Sequence, residues 1–504
     1  MIIQKQKIGV TILTITLTVS LLFSISTATA ETVTIGLVTD VNTLDPHKTA
    51  TVGTDLSVIS HLYSNLVNRS PDLKLSPGLA LSWEAKDDLT WHFKLRAGIT
   101  FPNGEKLDAA TVKWNIERIL DPKVKARIAA WYKPISDVNV LGPTDLEVKT
   151  HKPFPSLPGL FSALFLLPPK WSSSHNPAAE ALGTGPYDLV EFVSGDHITL
   201  KAKQNYWGDI PDFDTAIFRP VPETASRVAG VLTGDLDVVI GIPPTEIKRL
   251  KKDKSVDAGA VPSTRMMFVK FNTLKEPFKG NTKLRQALNY AIDKQAIVDA
   301  VLDGLVPQCR CQVLMDGYFG FNPELEPYPY NPKKAKELMA EAGYPRGFEV
   351  ELEIPIGRYL LAEDIGQAVA AMLEAVGVRT KIVEMQFGPW LAKYRKAGDL
   401  GQMAYLGQAW PTLDANGLLT LFEPGNRYAY WNDAIFGEVL KKARSTTDKS
   451  MRLNLYKQAT ERMCQEAPVI FLFNQPITYA ISKKIEWKAR SDDWIRAHEM
   501  KKAQ

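Results

Sequence analysis

Seven histidines and three cysteines are the side chains of this 504-residue sequence best suited to catalysis or metal binding. The histidines, at 47, 61, 92, 151, 175, 197 and 498, never fall at a spacing that places two ligands on one helix face. No H-E-x-x-H, no G-x-S-x-G elbow and no phosphate-binding P-loop occurs. Gly183-Thr184-Gly185 lacks a third glycine and opens no helix, so it is not a dinucleotide loop. Cys309-Arg310-Cys311 is too tight for easy disulfide geometry and lacks the two-residue spacing of zinc or thioredoxin motifs. That leaves a Cys464 bridge to one of the pair, or three free thiols. Neither a cofactor nor a metal is expected. A nucleophile assembled from distant positions keeps an enzyme in view as the lesser alternative.

The elements around these residues are mixed. Thr32–Leu37 and Thr90–Leu95 alternate as strands, and Asp108 caps a helix carrying Val112, Ile116 and Ile119. Apolar residues from Asp55 to Val67 recur on one helix face, and a further helix is expected from about Thr224 to Leu232. Beyond Phe271 the texture becomes α/β. Asn331-Pro332 opens a helix that Gly343 ends. Phe348–Ile354, Leu361–Val376 and Val378–Glu384 then read as strand, helix and parallel strand. A last helix from about Ser450 is expected to bury Met451, Leu455, Ala459 and Met463, and Pro468–Phe473 to form a buried strand. No flexible linker separates these parts, which favours lobes joined by several strand crossings.

Composition narrows the function classes. The 60 basic residues nearly balance the 56 acidic ones, so there is no electrostatic footprint for nucleic acid. Lys5 and Lys7 precede an apolar stretch shorter than a spanning helix, and Ala28-Thr29-Ala30 fits signal-peptidase cleavage. Residues 1–30 therefore read as a signal peptide, and its loss lowers the net charge from +4 to +2. No cysteine follows the cleavage site, so no lipid anchor is expected.

From Ala80 the sequence runs ALSWEAKDDLTWHFKLRAGITFPNGEKLDAATV, which resembles the extracellular solute-binding family 5, the peptide/nickel-type receptors of ABC importers. Further blocks resemble the family in the right order: GTGPYDLVEFVSGDHITLKAKQNYWGDIPDFD at 183–214, VKFNT at 269–273, LRQALNYAIDKQAIV at 284–298, YNPKKAKELMAEAGYPRGF at 330–348 and APVIFLFNQ at 467–475. The resemblance implies an α/β, periplasmic-binding-protein-like clamp of type II with two lobes and an inserted subdomain. Lobe I would comprise 31–75, 185–268 and 474–504, the insert 76–184, and lobe II 269–473. Hinge strands are expected near Met266–Asn272 and Pro468–Phe473. The implied role is periplasmic capture of peptides, with a non-peptide solute (an opine, a sugar or a chelated metal) as the alternative. The partners would be an inner-membrane permease and its ATPase subunits, and the protein a monomer.

A peptide offers two terminal charges and a backbone, so its receptor needs an anion-binder, a cation-binder and hydrogen-bonding edges. Arg358, just past a strand's C-terminal end, is similar to the arginine that holds the ligand carboxylate in dipeptide-type members. The segment Trp410-Pro411-Thr412-Leu413-Asp414 resembles the family's Trp-then-Asp-Pro block, in which an aspartate meets the peptide amine. Asp414 matches the later aspartate of that block, Pro411 stands at the amine-binding position, and Ala415 replaces the usual proline. Trp410 is expected as a pocket wall. Arg265 and Met266 lie where a hinge strand would enter the cleft, and Tyr63 and Tyr359 complete the candidate set.

Overall fold

The computed structural model describes residues 31–503, so the expected signal segment lies outside the described residues. Ten strands form one sheet. At one end Phe348–Ile356 pairs in parallel with Val378–Gln386 and with Met403–Gln408. At the other end Thr32–Leu37 lies parallel to both Thr215–Pro220 and Val238–Ile240, and His197–Ala202 and Tyr187–Val193 extend the sheet antiparallel. Two long antiparallel strands, Val256–Phe271 and Val469–Ser482, run through both ends and join them.

The pairing of these crossing strands slips between Pro262 and Met266 and again between Met267 and Phe268. Pro262 faces Pro476 there, and proline has no N–H to give a ladder. Both strands reach much further toward the N-terminal half of the sheet than the sequence indicated. Asp257-Ala258-Gly259-Ala260 carries neither clean alternation nor β-branched residues, so its strand signal is weak.

Three large hydrophobic clusters fill the molecule. One surrounds Phe268, Leu352 and Tyr405, and a second surrounds Val33, Ile35 and Phe218. The third, around Phe93, Ile116 and Phe161, lies under a separate four-stranded antiparallel sheet of Ala80–Ala85, Thr90–Leu95, Asp145–Thr150 and Ile135–Gly142. Alternation stitches the second cluster to the third. Leu164 and Leu166 point into the third, whereas Phe165 and Leu167 point into the second. Asp45 adds a buried clamp, accepting from both terminal nitrogens of Arg118 at 3.1 and 2.7 Å.

Most local expectations hold. Asp108 accepts from the Thr111 N–H and caps Ala109–Leu120, and Asn331 caps Pro332–Glu341, which Gly343 leaves at φ 92°. Two do not. The helix expected over Asp55–Val67 spans only Ser57–Leu62, after a π-helical turn. Gly185 approaches it so closely that a Cβ would lie 2.4 Å from the His61 carbonyl, and its N–H satisfies Leu62 O in place of another turn. In the last helix, Lys449–Glu466, Met451 is 56% exposed, and the buried face is Arg452, Tyr456, Ala459, Thr460 and Met463. A strict four-residue spacing drifts about 40° per step from a 3.6-residue turn, which carries Met451 out to solvent.

Cys311 is bonded to Cys464, and Cys309 is free and buried. Among the described residues no cluster of side chains could hold a metal, and no helix is long and apolar enough to cross a membrane.

Two buried histidines make stability pH-dependent. His47 donates through Nε2 to Phe165 O and accepts at Nδ1 from Arg118. His61 donates through Nδ1 to Ser57 O and accepts at Nε2 from the Ala497 N–H. Each is neutral, and burial holds each pKa down at about 4. The unfolded chain takes up protons near its ordinary histidine pKa while the folded chain does not, so stability falls as pH drops from 6.5 toward 4. The expected slope is about 1.4 kcal/mol per histidine per pH unit. Urea midpoints between pH 7 and 5 measure it, and a flat profile contradicts it. Thiol titration with the chain unreduced should find no reactive cysteine when folded and one when unfolded; three would contradict the bridge.

Candidate ligand-binding cleft

Between the two ends of the sheet lies a cleft of about 690 Å³, a size typical of small-molecule sites. The irregular stretch of the first crossing strand places Arg265 in its wall, with the side-chain stem lying against Gly407. Arg358 also lines the cleft. It follows Gly357, whose φ of 70° turns the chain sharply at the end of Phe348–Ile356. Its guanidinium lies 5.3 Å from the Tyr359 ring and 5.4 Å from that of Phe387. Desolvation, and then the like charge of Arg265, push the Arg358 pKa below its ordinary value.

Trp410 forms a flat wall. Its backbone N–H donates to Tyr318 Oη at 2.7 Å, and its ring packs on Gly417, where a Cβ would sit 2.0 Å from the indole. Across the cleft Trp131 faces it with ring centroids 6.3 Å apart. The same gap is spanned by Arg69, which donates to Leu73 O at 2.7 Å and to Thr412 O at 3.0 Å. Away from the cleft lining, Thr447 donates to Asp88 from its N–H and its hydroxyl at 2.9 and 3.0 Å.

The C-terminal segment supplies the remaining charges. Arg490, fully buried, grips Asp492 through Nε and Nη2 at 2.9 and 2.8 Å and also donates to the Arg69 carbonyl. Asp493 follows in the left-handed region, with φ 65°. Desolvation raises its carboxyl above the ordinary range, outweighing the lowering by Arg265 and Arg358. The lining thus carries Arg69, Arg227, Arg265, Arg358 and Arg496 against Asp492 and Asp493. It is a positive cleft in a nearly neutral protein.

Residues 74–429 match the family described as bacterial extracellular solute-binding proteins, family 5 middle. The chain belongs to this family. The glutathione-binding protein GsiB of Escherichia coli (strain K12) is 29% identical over 472 residues, spanning 90% of this chain and 91% of its own length. HbpA2 from Haemophilus parasuis has the same fold, with a TM-score of 0.82 at 23% identity over 94% of this chain and 100% of that one. The binding protein AgaA from A.tumefacien R10, in complex with agropinic acid, gives 0.76 at 26% identity over 94% and 99%. Family 5 members are solute-binding components of ABC importers, and the two-lobed α/β clamp expected from the sequence is their fold.

In this family 5 receptor the structure brings Arg358, Trp410 and Arg265 to the cleft and not the other four candidates. Asp414 is 6% exposed, and Arg452 donates to both its oxygens at 2.8 and 2.7 Å. It also accepts from Tyr456 Oη and caps Ala415–Leu419, and it does not line the cleft. Met266 is 0% and Tyr63 1% exposed, both core residues. Tyr359 turns inward and donates to Gly407 O at 3.2 Å, acting on the site only as the ring beneath Arg358. Sequence reasoning missed Asp493, Trp131 and Arg69. The one local signal for the first was the acidic pair beside Trp494 in a mostly basic tail.

Asp414→Ala strands Arg452, whose side chain is 4% exposed, without its counter-charge. Urea unfolding should show a loss of about 3–5 kcal/mol. Loss of less than 1 kcal/mol would contradict the assignment of Asp414 to the structure.

Proposed function

We propose that this protein is an exported receptor that captures a small, peptide-like anion and delivers it to a membrane permease. One observation carries the reading. Arg265 and Arg358 both face the cleft, and among the described residues neither guanidinium has a hydrogen-bond or ion-pair partner. Two like charges held together with no ion-pair partner are costly until an anion arrives, and a guanidinium fork fits a carboxylate in two bonds. Reduced glutathione, the solute named for the relative GsiB, carries two carboxylates, and a tripeptide fits a cleft of this size.

The wider reading follows the family. The signal segment is removed after Ala30 without lipid attachment, and the mature chain works in the periplasm as a monomer. It binds without turning over its ligand and passes it to an inner-membrane ABC permease driven by ATPase subunits. Lobe I takes residues 31–75, 185–268 and 474–504, the insert 76–184, and lobe II 269–473. Ligand bridging of the lobes stabilises the closed form by its differential affinity for closed over open.

A second reading keeps the receptor role but changes the solute. Thr39, Thr51, Thr54, Thr224 and Thr478 also line the cleft, which supports a hydroxyl-rich acid of the opine type.

Isothermal titration with reduced glutathione, γ-Glu-Glu, trialanine and a hydroxylated acid tests both. The acidic peptides should bind and trialanine should bind at least ten-fold more weakly. Arg265→Ala and Arg358→Ala should each cost about 2 kcal/mol, roughly 30-fold in Kd. Unchanged affinity in both variants would remove the arginines from the site. Binding of the hydroxylated acid alone would overturn the peptide reading.

A further inference from the structure

The cleft holds an acid that the expected amine site does not account for. Pro411 occupies the position at which the family resemblance calls for an amine-binding aspartate, and Asp414 is closed off by Arg452. Of the two acids that line the cleft, Asp492 is held by Arg490. Asp493 is different. Among the described residues no hydrogen bond and no ion pair within 4.0 Å reaches its side chain.

Its position is nevertheless fixed from both sides. Two residues before it, Ser491 O accepts from the Thr264 N–H at 2.7 Å, on the same crossing strand that carries Arg265. Two residues after it, the Ile495 N–H donates to Ser57 Oγ at 3.0 Å. The left-handed φ of 65° between these anchors turns the residue to the cleft wall. Arg265 and Arg358 both act on Asp493 electrostatically, yet neither closes an ion pair with it. Three charges of both signs are thus held apart around one space. A rigid arrangement of this kind is complementary to a ligand with the opposite charges in the opposite places.

Building on the anionic-solute reading, we propose that Asp493 is the specificity-determining residue that binds the ligand's ammonium group. The solute class then narrows to small molecules with two carboxylates and one ammonium, of net charge −1. A purely anionic ligand would lie against an unpaired carboxylate and be repelled, which selects against it. A ligand with an ammonium converts the same carboxylate into a contact. Asp493 would take over from the C-terminal segment a task that lobe II no longer performs at Pro411.

The test uses full-length mature protein, reduced glutathione and its N-acetyl derivative, which keeps both carboxylates but has no ammonium. Asn tolerates a left-handed φ, so Asp493→Asn keeps the backbone. Wild type should bind glutathione at least ten-fold tighter than the N-acetyl form. D493N should lose this preference through weaker glutathione binding, while the N-acetyl form, relieved of the repulsion, binds as well or tighter and shows the cleft intact. An undiminished preference in D493N overturns the proposal. So does tighter binding of both probes, which would make Asp493 only a counter-charge to the arginines. Binding of neither probe by wild type would sink the underlying anionic reading instead.

Discussion

Everything in this molecule depends on two antiparallel strands that belong to both halves of one sheet. Val256–Phe271 and Val469–Ser482 carry the hydrogen-bond ladder from one hydrophobic cluster to another. Were the ladder unbroken, the two halves would be one rigid slab. The opposed prolines at 262 and 476 and the slips beside them interrupt it where the cleft opens. The interruption also frees a residue from the pleat. Arg265 lies in the unpaired stretch, so the joint between the halves and one wall of the cleft are the same few residues.

The rest of the site answers to electrostatics in a confined space. Burial of a charge is tolerated when hydrogen bonds satisfy it, and most cleft arginines meet that condition inside the protein. Arg69 and Arg227 donate to backbone carbonyls, and Arg496 to Glu499. These hold the walls and set a positive background. Among the described residues Arg265, Arg358 and Asp493 have no hydrogen-bond or ion-pair partner for their side chains, and those are the groups a solute can satisfy. Trp131 and Trp410 supply flat apolar surface from either side, which adds burial without demanding a particular side chain.

Much of this was legible in the chain. Caps at Asp108 and Asn331, the strand–helix–strand unit from Phe348, and the block order of family 5 all rest on local signals that tertiary contacts do not override. Arg358 was legible because it follows a readable strand, and Trp410 because its block resembles that of the family. What failed depended on distance. Asp414 looks like a ligand contact until Arg452, 38 residues on, closes over it. Asp493 looks like tail until the Arg490 anchor and the Thr264 contact fold it into the cleft. The Cys311–Cys464 pairing, across 153 residues, was open between two partners and three free thiols for the same cause.

The central claim is that the cleft selects by charge, taking a small anion. Native mass spectrometry of the mature protein purified from its own cells tests it most directly, because a trapped solute reports its mass and composition. One bound molecule of a few hundred daltons is expected, bearing carboxylates and leaving when Arg265 and Arg358 are both replaced by alanine. A bound solute without any acidic group, retained by that double variant, would contradict it.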